Sequence, residues 1–482
     1  MVSDKDFPYH NKAQDATEDY PREACGVVGV YSRTEDVARV AFFGLYALQH
    51  RGQESAGISV GDGNTIRLRT SMGLVGQAFQ EDDLSTLTGH ISIGHTRYST
   101  TGSSNLDNAQ PIISKGPGVT LALAHNGNVI NAMDLKKDLA EWGCTFKGTN
   151  DSEIIAHLLS NAPASNWQER IAYCMRRLEG AYALTVMTKN ELLGIRDPLG
   201  VRPLCIGKFH DGWVLASESC ALDHIGAQFI RDVEPGEAVL INDTGLHTIY
   251  KRDSVTDRSA GCMFEYIYFA RPDSILSGKL VYSTRMAMGA ELAKEYAIDA
   301  DIVIGVPDSA IAAAVGYSRE SGIPFGEGLV KNRYVGRTFI QPDQRMRDLG
   351  VRRKLNTLPE LIKDKRIIVV DDSIVRGTTT PHVVDLLKKG GAKEVHLRIC
   401  APPIISPCHF GVDMATRREL IAANMSVEEI REFVGADSLG YLSHEGLLRA
   451  VKTSKDRVCM ACFTGEYPIP VQLEMDKLAL EV

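Results

Sequence analysis

The sequence predicts an α+β domain followed by an α/β domain, because its hydrophobic period changes along the chain and a polar segment separates the two regimes. From Cys25 to about residue 255, short alternating or apolar runs are punctuated by turn signals: CGVVGVYS, ISIGHTRYST, VTLALAHNGN, AYALTVMT, WVLASES and EAVLIND. Such runs belong to stacked sheets. The helical stretches DVARVAFFGLYALQH and DSEIIAHLLSNA interrupt them, so helices are expected to cover the sheets. The polar segment YKRDSVTDRSAG, 250–261, is the expected boundary. Beyond it, ADIVIGVPDSA and KRIIVVDDS read as apolar strands that end in acidic turns and lead into helical patterns, as in a parallel sheet with crossover helices. In the second of these helices Thr380 is the expected cap, Pro381 takes the first position, Lys388 and Lys389 occupy the last turn and Gly390 ends it.

A chain of 482 residues, 44% hydrophobic and 24% charged, has the composition of a soluble protein of two domains. Its net charge of −8 argues against nucleic acid as a partner, so an anionic ligand has to be met by a local basic patch. No apolar stretch reaches the ~18 residues that suggest a membrane span. Residues 1–24 lack the apolar core of a secretory signal, and Asp4, Asp6, Asp15, Glu18, Asp19 and Glu23 speak against a transit peptide. The expected location is the cytoplasm, where ten scattered cysteines serve packing, catalysis or metal binding and not a disulfide framework.

In RIIVVDDSIVRGTTTP, 366–381, a buried strand ends in Asp371 and Asp372, and a hydroxyl-rich loop then opens a helix. Backbone N–H groups and the positive end of the helix dipole would meet a phosphate there, while the carboxylates suit a ribose diol or Mg2+. A capped strand-to-helix turn is the plainer reading of a lone DDS. Lys331 to Lys354 supplies the basic patch, with Lys331, Arg333, Arg337, Arg345, Arg347, Arg352, Arg353 and Lys354 against Asp343 and Asp348. Interleaved Tyr334, Gly336 and Phe339 point to a phosphate-binding loop more than to a solvated helix face.

The stretch 366–381 resembles the phosphoribosylpyrophosphate (PRPP) signature of type I phosphoribosyltransferases. Together with GVPDSA (305–310) and KNRYVGRTFIQP (331–342) it is similar to the amidophosphoribosyltransferase family, over nearly all of Cys25 to Pro468. The resemblance implies that Ser309, Asp371 and Asp372 surround Mg2+ and the ribose diol. It implies that Ser373, Ile374, Val375, Arg376, Gly377, Thr378, Thr379 and Thr380 cradle the 5-phosphate, with Lys331 also on PRPP. Tyr334, Arg337 and Ile340 are expected in a loop that couples two sites and lines an ammonia path.

Cys25 stands at the threshold of the first predicted strand. An arbitrary cysteine there is a small buried hydrophobe. If residues 1–24 are removed as a propeptide, however, its own α-amino group, with a pKa of roughly 7.7 to 8.0, becomes a base for its thiol. Hydrolysis of an amide also needs an oxyanion site, which Asn126 and the backbone of Gly127 in LAHNGN offer. Free glutamine needs a cation for its carboxylate, Arg97 in GHTRYST, and an anion for its ammonium, Asp151 in TNDSE.

With LQHRGQESAGI, 48–58, these pieces match the class II glutamine amidotransferase pattern. The resemblance then implies an N-terminal-nucleophile αββα glutaminase domain at 25–255 and an α/β type I phosphoribosyltransferase domain at 256–482. The implied reaction gives 5-phosphoribosylamine, pyrophosphate and glutamate, the first step of purine synthesis. Purine nucleotides are the expected feedback inhibitors and a dimer or tetramer the expected assembly.

Cys459 and Cys462 form a C-x-x-C, with Cys262 and Cys408 far upstream. Spacing alone leaves zinc and an iron–sulfur cluster both open. Resemblance to the iron–sulfur-containing branch of the family implies that these four hold a [4Fe-4S] cluster of structural role.

Overall fold

A computed structural model of the chain describes residues 25–98, 103–252, 258–332, 355–412 and 416–471. The described chain divides into two compact units. One runs to Arg285 and takes in Ser406–Thr416 and the segment from Leu448; the other consists of Met286–Ile405 and Arg417–Leu447.

The first unit is built on two antiparallel sheets. Its strands in chain order are β1 (Gly26–Tyr31), β2 (Ser55–Gly61), β3 (Ile66–Met72), β4 (Ile91–Arg97), β5 (Ile112–Gly116), β6 (Val119–Val129), β7 (Gly180–Met187), β8 (Leu192–Arg196), β9 (Cys205–Phe209), β10 (Gly212–Ala216), β11 (Gln228–Asp232), β12 (Glu237–Asn242) and β13 (Gly245–Lys251). One sheet has the order β11-β9-β10-β1-β4-β2-β3 and the other β13-β12-β8-β7-β6-β5. Val27, Ile91, Ile93, Ala122, Ala124, Ala183, Met187 and Leu192 form an almost solvent-free core from the inner faces of both sheets. Each fully buried Val, Ile, Leu or Met chain there contributes about 1.5–3 kcal/mol. The packing is tight enough that a Cβ at Gly29 would lie 2.9 Å from Leu192 Cδ1.

The outer faces are covered by helices. Val37–Ala47 and Ser219–Ile225 bury Ala38, Ala41, Leu45 and Leu222 against the first sheet. Ala132–Glu141, Asp151–Asn161 and Trp167–Arg177 bury Leu135, Leu139, Ile155, Leu159 and Ile171 against the second. This is an αββα sandwich. It holds three longer helices beyond the two expected, because Ala132–Glu141, Trp167–Arg177 and Ser219–Ile225 lack the long apolar runs that mark the others.

The second unit holds a parallel sheet of Ile302–Gly305, Arg366–Asp371, Glu394–Ile399 and Ser438–Tyr441. Ile304, Val369, Leu397 and Tyr441 carry its core on one face, with Val383, Val384 and Leu387 of the helix Thr380–Lys389 packed among them. That helix begins one residue earlier than expected. Thr379 is its N-cap and Thr380 its first residue, so Pro381 takes the second position, where its missing N–H is still not needed.

Candidate active site

Cys25 precedes β1, and the pairing of Gly26 with Thr96 sets it beside the end of β4, next to Arg97. Its Sγ donates to the carbonyl of Tyr98 at 3.3 Å and lies 3.4 Å from the Tyr98 N–H. Burial pushes the thiol up to about 11; the Tyr98 backbone and Arg97 pull it down, while Glu54 and Asp151 raise it. The sulfur therefore sits within electrostatic reach of both residues expected to grip an amino acid's charged ends.

Arg97 is buried, donates from Nη1 to the Ser103 carbonyl at 3.1 Å and lies 3.7 Å from Glu54. Asp151 opens the helix Asp151–Asn161, which Asn150 caps by accepting from the Glu153 N–H. Its Oδ2 accepts from the Val129 N–H at 2.9 Å, tying the helix start to the end of β6.

Asn126 and Gly127 lie on β6 opposite Ala183 and Tyr182 of β7. Asn126 is fully buried, and neither atom of its side-chain amide has a hydrogen-bond partner among the described residues. Buried amides are normally satisfied, so this one is a donor waiting for an acceptor. Gly127 has φ +150, and a Cβ there would lie 2.0 Å from the Ala181 carbonyl, so no other residue fits.

Four further residues organise this site without having been singled out in the sequence, although three stand inside the quoted motifs. His95 of β4 lies 3.0 Å through Nε2 from the His125 carbonyl of β6, joining the two sheets, and burial lowers its pKa to about 3, which keeps it neutral. His125 lies 3.7 Å from Asp151. Arg51 donates from Nε to the Cys25 carbonyl at 3.2 Å and is clasped by Glu218 and Glu265. Arg202 donates to Glu265 at 3.2 Å and to the Phe410 carbonyl at 2.9 Å. Nothing local marks Arg202, whose partners lie far along the chain.

In the second unit Gly305 pairs with Val370 in parallel register, which brings the loops after both strands together at the carboxyl end of the sheet, where open α/β sheets bind ligands. There the Ser309 hydroxyl donates to Asp372. Ser373 Oγ donates to the same carboxylate at 2.6 Å, and the Asp372 N–H donates to Asp371 at 2.9 Å. Ile374 and Val375 turn their side chains into the core. Arg376 meets Glu419 at 3.2 Å, Gly377 has φ +71 and Thr378 is exposed before the helix that starts at Thr380. Lys331 is paired with Asp308 at 3.0 Å. Tyr334, Arg337 and Ile340 lie outside the described residues, as do residues 1–24.

All ten cysteines are free thiols. Cys262 ends β14 (Gly261–Cys262), which pairs in parallel with Val458–Cys459 so that Cys262 lies opposite Cys459. The Ser406 N–H donates to the Cys462 carbonyl at 3.1 Å, and Cys262, Cys408 and Cys459 pack around Val201, Ala260 and Phe410. Burial pushes the Cys262 thiol up to about 11, and burial together with the neighbouring cysteines holds Cys459 and Cys462 far above the ordinary range. Among the described residues no group of three or more His, Cys, Asp or Glu is set to hold a single metal ion. Four partly buried thiols that interact with one another do fit a sulfur-ligated group in their donor chemistry.

Comparison with known proteins assigns residues 95–224 to a glutamine amidotransferase domain and residues 273–401 to a phosphoribosyl transferase domain. The chain is 50% identical over 471 residues to the amidophosphoribosyltransferase of Synechococcus elongatus, covering 96% of this chain and 95% of that protein. It is 50% identical to that of Archaeoglobus fulgidus, covering 93% and 98%. Among solved structures, the glutamine PRPP amidotransferase of B. subtilis complexed with ADP and GMP matches with TM-score 0.87 and 45% identity over 94% of this chain and 99% of that one. A structure described as the allosteric regulatory enzyme of purine biosynthesis matches with TM-score 0.88 and 45% identity over 94% and 98%. No helix among the described residues is long and apolar enough to cross a membrane.

Proposed function

The chain belongs to the amidophosphoribosyltransferase family, and from that premise we propose how its residues divide the work of moving the amide nitrogen of glutamine to PRPP at the entry to purine synthesis. The observation that carries the division is the setting of Cys25: a buried thiol flanked by Arg97 and Asp151, with the unpartnered amide of Asn126 on the strand that Asp151 ties down.

Arg97 takes the α-carboxylate of glutamine and Asp151 its ammonium. Cys25 Sγ then attacks the side-chain carbonyl, whose developing oxyanion is met by Asn126 Nδ2 and the Gly127 N–H. Because burial holds the thiol protonated at neutral pH, a base is required at the nucleophile. We assign that role to the α-amino group freed when residues 1–24 are removed. The thiol proton passes to this amine and on to the departing ammonia. Water then releases glutamate from the acyl-enzyme.

At the second site Asp371 and Asp372 would hold Mg2+ together with the ribose diol of PRPP, and the backbone from Ser373 to Thr380 holds its 5-phosphate at the helix N-terminus. A Mg2+ held there would supply positive charge against the pyrophosphate group. Lys331 adds a positive charge, and the loop containing Tyr334, Arg337 and Ile340 joins the two reactions. Cys262, Cys408, Cys459 and Cys462 would hold a [4Fe-4S] cluster, whose chemistry is that of a cross-link in a reducing compartment. Purine nucleotides would inhibit by competing for the phosphate site.

The test is stoichiometry. Glutamine and PRPP with Mg2+ should yield glutamate and pyrophosphate in equal amounts, and glutamate formation should fall when PRPP is withheld. Pyrophosphate formation that ignores glutamine and ammonia alike would overturn the reading.

A further inference from the structure

Arg202 is fully buried, and it faces two ways. Its Nε donates to the carbonyl of Phe410 at 2.9 Å, and its Nη1 donates to Glu265 at 3.2 Å. On the Glu265 side the carboxylate is also gripped by Arg51, at 2.6 Å from Nη2 and 3.0 Å from Nη1, and Arg51 Nε holds the Cys25 carbonyl at 3.2 Å. This arm ends on the backbone of the nucleophile.

On the Phe410 side the segment 408–412 lies against the strand that carries the oxyanion donors. Asn128 Nδ2 donates to the His409 carbonyl at 3.0 Å. Gly411, with φ +93, presses directly on Gly127, since a Cβ on Gly411 would lie 2.7 Å from the Gly127 carbonyl carbon and 2.8 Å from its Cα. On its other side Gly127 meets the Ala181 carbonyl. The orientation of the Gly127 peptide is thus set between β7 and this segment, and Phe410, buried among Ala181, Val201 and Ala260, anchors the segment. This arm ends on the oxyanion donor.

We propose that Arg202 is a positioning residue for glutamine hydrolysis: it fixes the backbone of Cys25, through Glu265 and Arg51, relative to that of Gly127, through the segment 408–412. The inference rests on the assignment of Cys25 and Gly127 given above. A planar guanidinium is needed because the two acceptors require two N–H groups at a fixed angle, which an ammonium supplies only as a single charge. Catalysis at the thiol depends on the oxyanion donor lying within a few tenths of an ångström of the developing charge, so slack in either arm lowers the rate of the chemical step without weakening the grip of Arg97 and Asp151 on glutamine.

The test compares Arg202→Lys and Asn128→Ala with the parent enzyme, using glutamine and, separately, ammonium as nitrogen source. Asn128→Ala removes the hydrogen bond to the His409 carbonyl and so loosens the 408–412 arm. Each variant should lose about 10- to 100-fold in kcat with glutamine, keep KM for glutamine within about twofold, and make pyrophosphate from ammonium at the parent rate. Arg202→Gln, which restores planarity and one donor, should recover part of the loss that Arg202→Lys shows. An unchanged glutamine kcat in either folded variant overturns the proposal, and so does a parallel fall of the glutamine and ammonium rates, which marks general damage. If Arg202→Lys proves insoluble, Asn128→Ala decides by the same criteria. A parent enzyme without glutamine-dependent activity would instead refute the underlying assignment.

Discussion

Arg51 donates its Nε–H to the carbonyl oxygen of Cys25 at 3.2 Å from a guanidinium clasped between Glu218 and Glu265, so the backbone of Cys25 is held by a buried ion cluster. His50 adds a further contact to Glu218 at 2.7 Å, and Ser274 donates to the same carboxylate at 2.6 Å. Burial alone would raise the Glu218 carboxyl, but His50 and Arg51 hold it well below the ordinary carboxylate range.

Arg51→Met should remove the cation that Glu218 and Glu265 share, leaving them only His50 and Arg202, and cost about 3–5 kcal/mol. Because the Glu218 pKa is depressed on folding, its contribution is present above the unfolded value near 4 and is lost as pH falls below it. Chemical denaturation from pH 7 to pH 3 should show a steep loss of stability in the parent and a shallower one in the variant. Equal slopes would remove the cluster from the account.

Cys25 should react differently before and after loss of residues 1–24. With its amide intact and its thiol pushed up to about 11 by burial, alkylation by iodoacetamide should be slow at pH 7 and climb towards pH 11. In the shortened chain the new amine, of pKa roughly 7.7 to 8.0, should bring the inflection below pH 9. Identical pH–rate profiles would deny the amine its role as base.

Much of the candidate site around Cys25 was legible because its parts are local. The β-formers after Cys25, the Asn-Gly within LAHNGN and the acid after Asn150 each sit at an element end that the sequence marks. In the second unit VVDDSIVRGTTTP reads directly as strand, loop and helix start. The supports were not legible. Arg51 reaches Glu265 and Arg202 reaches Phe410 across long stretches of chain, and no local pattern records such pairs. The three unexpected helices escaped for another reason. Ala132–Glu141 and Trp167–Arg177 carry narrow apolar stripes among charged residues, and they owe their stability to the face buried on the second sheet.

Asp372→Asn should break the acidic site at which Ser309 and Ser373 converge. PRPP-dependent pyrophosphate release should fall by about 10²-fold or more, and chelation of Mg2+ should abolish it in the parent. Retained transfer in the presence of excess chelator would exclude the metal role of Asp371 and Asp372.

Protein prepared without oxygen should hold about four irons per chain, and Cys459→Ser should lose them. Because Cys459 lies opposite Cys262 in a parallel pair, the same substitution should lower the thermal midpoint of the first unit. Zinc in place of iron, or a colourless chain of unaltered stability, would return these cysteines to another role.

The most direct test of the division of labour is Cys25→Ala, assayed for pyrophosphate release from PRPP with glutamine and with ammonium. The account predicts that glutamine no longer supports the reaction while ammonium supports it at close to the parent rate. Undiminished activity with glutamine, or loss of the ammonium-dependent reaction in a folded variant, would contradict it.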